Sequence, residues 1–227
     1  GTVQLQSAVA VSFLVVITMI VSYWVKQNRY IYFWDYSGYW TMSIERARYM
    51  FDHSLIDNLK TLYESINSDD YNVFLPTILA FPMKTIGDEF STYVLLCFAM
   101  FLIPTFFVQG RLAVKMIKTS EINDSWIFVI FLIASGCFVQ NYYALLRGYV
   151  DIAYLLPMSV AMYLFVDYDF ERVSFRRNSA IVCMLILTWI CRRYTIFFLI
   201  GYAVAMLVKG VYTLLKNHSS VRNIVVN

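Results

Sequence analysis

AIVCMLILTWICRRYTIFFLIGYAVAMLVKGVYTLL, the run from Ala180 to Leu215, decides the fold. It is nearly twice the roughly 20 apolar residues that carry a helix across bilayer hydrocarbon. Its only charges before Lys209 are Arg192 and Arg193, at its centre. An arginine held at mid-bilayer costs about 2.5–3.5 kcal/mol on insertion scales. The run is therefore read as two helices, 180–191 and 194–215, meeting at a charged elbow on a membrane boundary. A single tilted helix is the plainer alternative. Composition agrees with a membrane setting: 60% of the 227 residues are hydrophobic and 15% charged, with mean hydropathy +0.61. Soluble domains run at about 45–50% apolar and about 25% charged. An ordinary soluble enzyme, a disordered tail and a disulfide scaffold are excluded. Cys97, Cys137, Cys183 and Cys191 all lie in apolar runs without CxxC spacing, as small buried hydrophobes do.

Working outward, four more apolar runs fall at 8–25, 90–108, 126–146 and 152–166, with Pro104 expected to bend the second. The expectation is an all-α membrane protein, one transmembrane module over 1–227 with about six spans. Arg111, Lys115 and Lys118 follow the second span, Arg172, Arg176 and Arg177 the fourth, and Lys209, Lys216 and Arg222 mark the end of the sixth. If the spans alternate, these clusters share one side, which the positive-inside rule makes cytoplasmic. The outer loop, 27–89, carries five basic residues against nine acidic ones. The chain opens on Gly1 without a recognisable signal peptide and is expected to be part of a longer protein.

That loop is too long to be structureless. Trp40, Ile44, Ala47, Phe51 and Leu55 recur at helical spacing, with Glu45, Arg48 and Asp52 opposite. Leu59, Leu62 and Ile66 follow, with Ser54 as N-cap and Asp57 three residues on. Both read as amphipathic helices lying on the membrane surface. Before them stands Tyr32-Phe33-Trp34-Asp35-Tyr36-Ser37-Gly38-Tyr39-Trp40. An interfacial aromatic belt with Asp35 as a helix cap explains it, and so does a carboxylate poised in low dielectric as a general base or metal ligand. Arg147-Gly148-Tyr149-Val150-Asp151 and Arg192-Arg193-Tyr194 join later spans on the same side. Snorkelling arginines are the bland reading of these turns. Taken together, carboxylates and arginines at one lipid–water boundary suit a lipid phosphate, because guanidinium forks bind phosphate oxygens.

In the order of these features the chain resembles the GT-C superfamily, integral-membrane glycosyltransferases that use polyprenyl-phosphate sugars. Asp35 follows the first span, where these enzymes carry a catalytic aspartate. The segment Asn72 to Gly87 looks like their re-entrant stretch, although the His-Pro-Pro start of many bacterial members is replaced here by Asn72. Arg147 to Asp151 with Leu155-Leu156-Pro157 looks like the junction bearing a second acidic residue, and Leu187 to Thr195 like the basic turn. The resemblance implies sugar transfer, with inversion, from a polyprenyl phosphate to a glycan, lipid or protein acceptor on the extracytoplasmic face. It implies Asp35 and Asp151 as catalytic residues, and Arg147, Arg192, Arg193 and Tyr194 as the lipid-phosphate site. A divalent cation, Mg or Mn, is an optional cofactor, with Asp35, Asp151, Asp69 and Asp70 as its candidate ligands. Full members are longer, so this chain corresponds to an N-terminal catalytic module. A bacterial plasma membrane is the expected location.

Three rivals stay open: a transporter or channel fragment, a non-catalytic membrane subunit that binds lipid, and an acyltransferase, for which only His53 and His218 are on offer. The basic residues form no patch for nucleic acid.

Overall fold

The computed structural model describes residues 2–27, 35–69, 71–117, 122–170, 172 and 174–217. Asp70, the Tyr32-Phe33-Trp34 run, Arg29, Lys118, His218 and Arg222 lie outside the described residues, and of Asp35 only the backbone is described. Among the described residues the chain is all helix and turn, without a strand. Three helices are long and apolar enough to cross a membrane: Gln4–Gln27, Phe90–Met116 and Arg193–Lys216. A fourth crossing is made if the bent pair Asp124–Gly136 and Val139–Leu146 counts as one span.

Helix α1 (Thr2–Gln27) turns Val11, Val15 and Met19 outward, as a lipid-facing helix does. The amphipathic layer follows as α2 (Asp35–Asp52), α3 (Leu55–Ser68) and α4 (Phe74–Ile86). Ser54 caps α3 as its sequence requires, its Oγ accepting from the Asp57 amide at 3.2 Å. The buried stripe of α2 differs from the expected one. Tyr39, Ser43, Arg46 and Ala47 face the protein, while Phe51 and Leu55 are exposed and Leu55 already belongs to α3. Arg46 explains the shift. Its Nε donates to Thr77 Oγ1 at 3.1 Å and its Nη2 to Asn58 Oδ1 at 3.3 Å, tying α2 to both α3 and α4. These hydrogen bonds offset the cost of burying the guanidinium, while the Phe51 ring lies against Phe81 near the surface.

The central pillar is α5 (Phe90–Cys97), a wide π turn (Phe98–Leu102) and α6 (Ile103–Met116). Pro104 was expected to bend this helix. The π turn immediately before it absorbs the missing amide, with Ile103 N–H reaching back five residues to Phe98 O. Tyr93, Phe98, Leu102 and Phe106 are fully buried along the pillar. Helix α7 (Asp124–Gly136) crosses α1 where Gly136 leaves room for Phe13; a Cβ there would lie 2.5 Å from its ring. Helix α8 (Val139–Leu146) departs at 46°, and Tyr142 Oη donates to the Gly136 carbonyl freed at the break, at 2.6 Å.

A 3-10 turn (Val150–Tyr154) leads into α9 (Leu155–Phe165), and α10 (Phe175–Cys191) precedes a second 3-10 turn (Arg193–Thr195) and α11 (Ile196–Asn217). The segments expected at 152–166 and 180–191 are thus helices, but α10 has 17 residues, roughly 25 Å of rise, short of the hydrocarbon thickness. Two ends of the bundle are defined by contacts. At one, Lys115 Nζ donates to Tyr163 O (3.1 Å), Lys209 Nζ to Val166 O (3.2 Å) and Arg177 Nε to Leu164 O (2.8 Å), so cations from three helices cap the carbonyls closing α9. At the other end lie the Arg147–Asp151 and Arg192–Tyr194 turns and the α2–α4 layer.

Candidate functional site

The Arg147–Asp151 turn is built by a Schellman ending on α8. Gly148 N–H bonds Leu145 O and Tyr149 N–H bonds Ala144 O, each at 3.0 Å, with Gly148 at φ +92°. Glycine reaches that conformation without strain, which is why the turn carries one. Tyr93 Oη from the pillar donates to Gly148 O at 2.9 Å and fixes the turn's height. Across from it, Thr195 Oγ1 donates to Arg192 O at 2.7 Å and stabilises the second 3-10 turn. Two independently braced turns therefore face one another.

Their side chains meet. Arg192 Nη2 stands 3.3 Å from Asp151 Oδ2, with the two side chains only 16% and 17% exposed. Arg192 Nη1 donates to Tyr39 Oη at 3.2 Å, across 153 residues of sequence. The guanidinium also lies 5.2 Å from the Tyr71 ring and 4.9 Å from the Tyr194 ring, so aromatic faces complete its shell. Burial works against its charge, but Asp151 and the surrounding tyrosines outweigh that and raise its pKa. Burial, followed by the charge of Asp151, pushes the Tyr39 phenol far above its usual range, so it stays a neutral hydroxyl. Asp151, Tyr154, Met158, Arg192 and Tyr194 line a cavity of about 510 Å³. A second cavity, about 400 Å³ and almost wholly apolar, is lined by Phe74, Ile78, Phe101, Ala153, Pro157 and Cys191, among others. The segments around 151–158 and 191–198 line both.

The other expected residues are placed as follows. Arg147 lies over the Tyr143 ring at 3.8 Å and bonds its hydroxyl. Arg193 Nη2 donates to Ile66 O at 3.1 Å and so caps the end of α3. Asp69 is exposed and accepts from Ser65 Oγ at 2.5 Å and Ser68 Oγ at 3.1 Å. Asp35 opens α2 one turn ahead of Tyr39. Among the described residues no group of three Asp, Glu, His or Cys side chains is arranged for a metal ion. Asp151 faces a guanidinium and Asp69 local hydroxyls, so these carboxylates do not fit a divalent cation as placed.

Sequence reasoning quoted Tyr39 in the aromatic cluster and Asn72 at the start of the re-entrant stretch but gave neither a role at this site, and it did not single out Tyr71. Asn72 Nδ2 donates to Ile190 O at 2.8 Å and its Oδ1 accepts from Phe74 N–H at 3.0 Å, pinning the start of α4 to the end of α10. The only signal for it was a polar residue opening an apolar helix.

Among the described residues the fold and site define an all-helical protein with three helices long and apolar enough to cross a membrane and a mostly buried ion pair at one end. No protein-family model matches the chain, and neither a curated protein nor a solved structure is significantly similar to it.

Proposed function

We propose that the chain is the catalytic module of a GT-C-type membrane glycosyltransferase, moving a sugar from a polyprenyl phosphate to an acceptor hydroxyl. The observation that carries this reading is that the 151–158 segment lines two cavities, one with the Arg192–Asp151 pair in its wall and one almost wholly apolar beside Ala153 and Cys191. An amphiphile with a phosphate head and an isoprenoid tail has these two needs side by side. In this reading α9 and α10 also cross the membrane, giving six spans, and the Arg192 end faces outward from a bacterial plasma membrane. The α2–α4 layer then lies at the outer surface, with Leu55, Leu59 and Tyr63 of α3 exposed toward lipid.

The acceptor oxygen attacks the anomeric carbon as the bond from that carbon to the phosphate oxygen breaks, with inversion. The acceptor proton passes to Asp35, and the electron pair of the broken bond leaves on the polyprenyl phosphate. Arg192, held in orientation by Asp151 and Tyr39, stabilises that developing negative charge. Arg147 and Tyr194 stand at the same turns to receive the remaining phosphate oxygens, and Arg193 holds α3 in place beside them. Asp35 opens the helix that carries Tyr39, whose hydroxyl bonds Arg192, and this supports the reading.

The test is transfer of labelled sugar from a polyprenyl-phosphate donor by membranes containing the full gene product, wild type against Asp35→Asn. Loss of transfer at unchanged expression supports enzyme and base together; transfer that survives removes Asp35 from the role. The closed Asp151–Arg192 pair favours one second reading, a lipid-binding subunit without catalysis, and for that reading no donor yields transfer.

A further inference from the structure

The opposite end of the bundle holds a site that the proposed transfer does not use. Between the first turns of α1, the last turns of α6 and the start of α7 lies a cavity of about 410 Å³. Gln6 lies in its wall with 3% of its surface exposed, and neither its amide oxygen nor its nitrogen has a hydrogen-bond partner among the described residues. A buried amide left unpaired is destabilising, because it has given up its water without gaining a partner. Natural structures leave few such groups, and a ligand is one of the things that satisfies them.

Two charges of opposite sign line the same cavity, Arg111 from α6 and Asp124 from the first turn of α7. Neither is in an ion pair among the described residues; Arg111 lies over the Phe128 ring at 5.1 Å. Phe128 in turn sits in the notch left by Gly110, where a Cβ would come within 2.8 Å of its ring. Leu14, Phe107 and Val129 give the cavity an apolar wall. The cavity therefore offers a cation, an anion, an unsatisfied amide and an apolar wall, at one end of a membrane-crossing helix bundle.

We infer that this cavity binds a glycerophospholipid with a primary-ammonium headgroup. The phosphate pairs with Arg111, the ammonium N–H groups with Asp124, a glycerol-ester carbonyl accepts from Gln6 Nε2, and an acyl chain lies on the apolar wall. A purely anionic headgroup would leave Asp124 repelled. A quaternary ammonium headgroup has no N–H to give it.

The experiment is native mass spectrometry of the full chain in detergent, titrated with dioleoyl-phosphatidylethanolamine, -phosphatidylcholine or -phosphatidylglycerol. Phosphatidylethanolamine should be retained about tenfold better than the other two, the ratio that one charge-assisted hydrogen bond supplies. Asp124→Asn should erase its advantage over phosphatidylcholine, and Arg111→Gln should weaken all three lipids. Gln6→Leu should lower phosphatidylethanolamine affinity while thermal stability holds or rises, since an unpaired buried amide is removed. Equal retention of the three lipids by the wild type overturns the inference, as does selectivity that survives Asp124→Asn. Displacement of the lipid by an equal concentration of glycerophosphoethanolamine overturns the assignment to a lipid.

Discussion

The two ends of the bundle use the same chemistry to different effect. At the Asp167 end, Arg177 and Lys115 share one carboxylate, and the same cations bond the last carbonyls of α9. Asp167 is 42% exposed, and both of its cations also bond carbonyls at the end of α9. At the Arg192 end the ion pair is mostly buried, its guanidinium bonds the Asp151 carboxylate and the Tyr39 hydroxyl, and a cavity opens beside it. Ion pairs that finish helices need no cavity. One that is buried beside a cavity, with aromatic walls, has the makings of a binding site. Composition alone does not distinguish them, since both ends are arginine, aspartate and tyrosine.

The largest expected difference between the ends is in activity. Asp35→Asn should reduce sugar transfer by roughly 10²–10⁴-fold, the range a positioned general base contributes, while Arg177→Gln leaves transfer within about twofold. Radiolabel transfer by equal amounts of membrane protein measures both. Next comes stability. Arg192→Gln strands a mostly buried carboxylate and should cost about 3 kcal/mol, whereas Arg177→Gln, with Lys115 still beside an exposed Asp167, should cost under about 1 kcal/mol. Thermal unfolding in detergent reads both, and adding Asp151→Asn to Arg192→Gln should recover most of the loss. Equal costs at the two ends would erase the distinction drawn above.

Tyr39→Phe is a finer test. It keeps the ring and removes the hydroxyl that joins α2 to Arg192, and should cost about 1 kcal/mol. If α2 positions Asp35 through this bond, kcat falls more than KM rises. The smallest effect is in pH. Burial tends to raise the Asp167 carboxyl, but hydrogen bonds and charge from Lys115 and Arg177 outweigh it and hold the pKa below the usual carboxylate range. Its contribution is therefore complete at neutral pH and lost as pH falls from about 4 through the lowered folded value. Exposure keeps that contribution under about 1 kcal/mol. Melting temperatures between pH 5 and 3 should fall slightly less steeply for Asp167→Asn than for the wild type.

The helices of this fold were legible wherever one face meets lipid. In α1 and α11 most side chains are apolar, and the apolar ones are not confined to one face, because hydrocarbon replaces the partner a soluble helix would need. The elbow at Arg192 and Arg193 was equally legible, since a charge breaks such a run only at a boundary. The stripe of α2 was misplaced because periodicity counts hydrophobicity, and Arg46 is buried through hydrogen bonds instead. The meeting of Asp151 with Arg192 was foreseen only as shared depth. That Tyr39 joins them was not, because a tyrosine near an interface carries the same letter whether it faces lipid or a guanidinium. The partners of Asn72 and Arg193 lie 118 and 127 residues away, beyond any local pattern.

The π turn at Phe98–Leu102 has a geometric consequence. A single extra residue in a helical turn changes the angular phase of everything after it by roughly 100°, one residue's share of a 3.6-residue turn. The pillar is thus two half-helices set out of phase. Its first half aims Tyr93 at the Gly148 turn, and its second aims Gly110 at Phe128 and Gln109 at Ser159. Deleting Ala99 would bring the halves into phase and turn one of those faces away from its neighbours, uncoupling the two ends of the molecule without touching a charge.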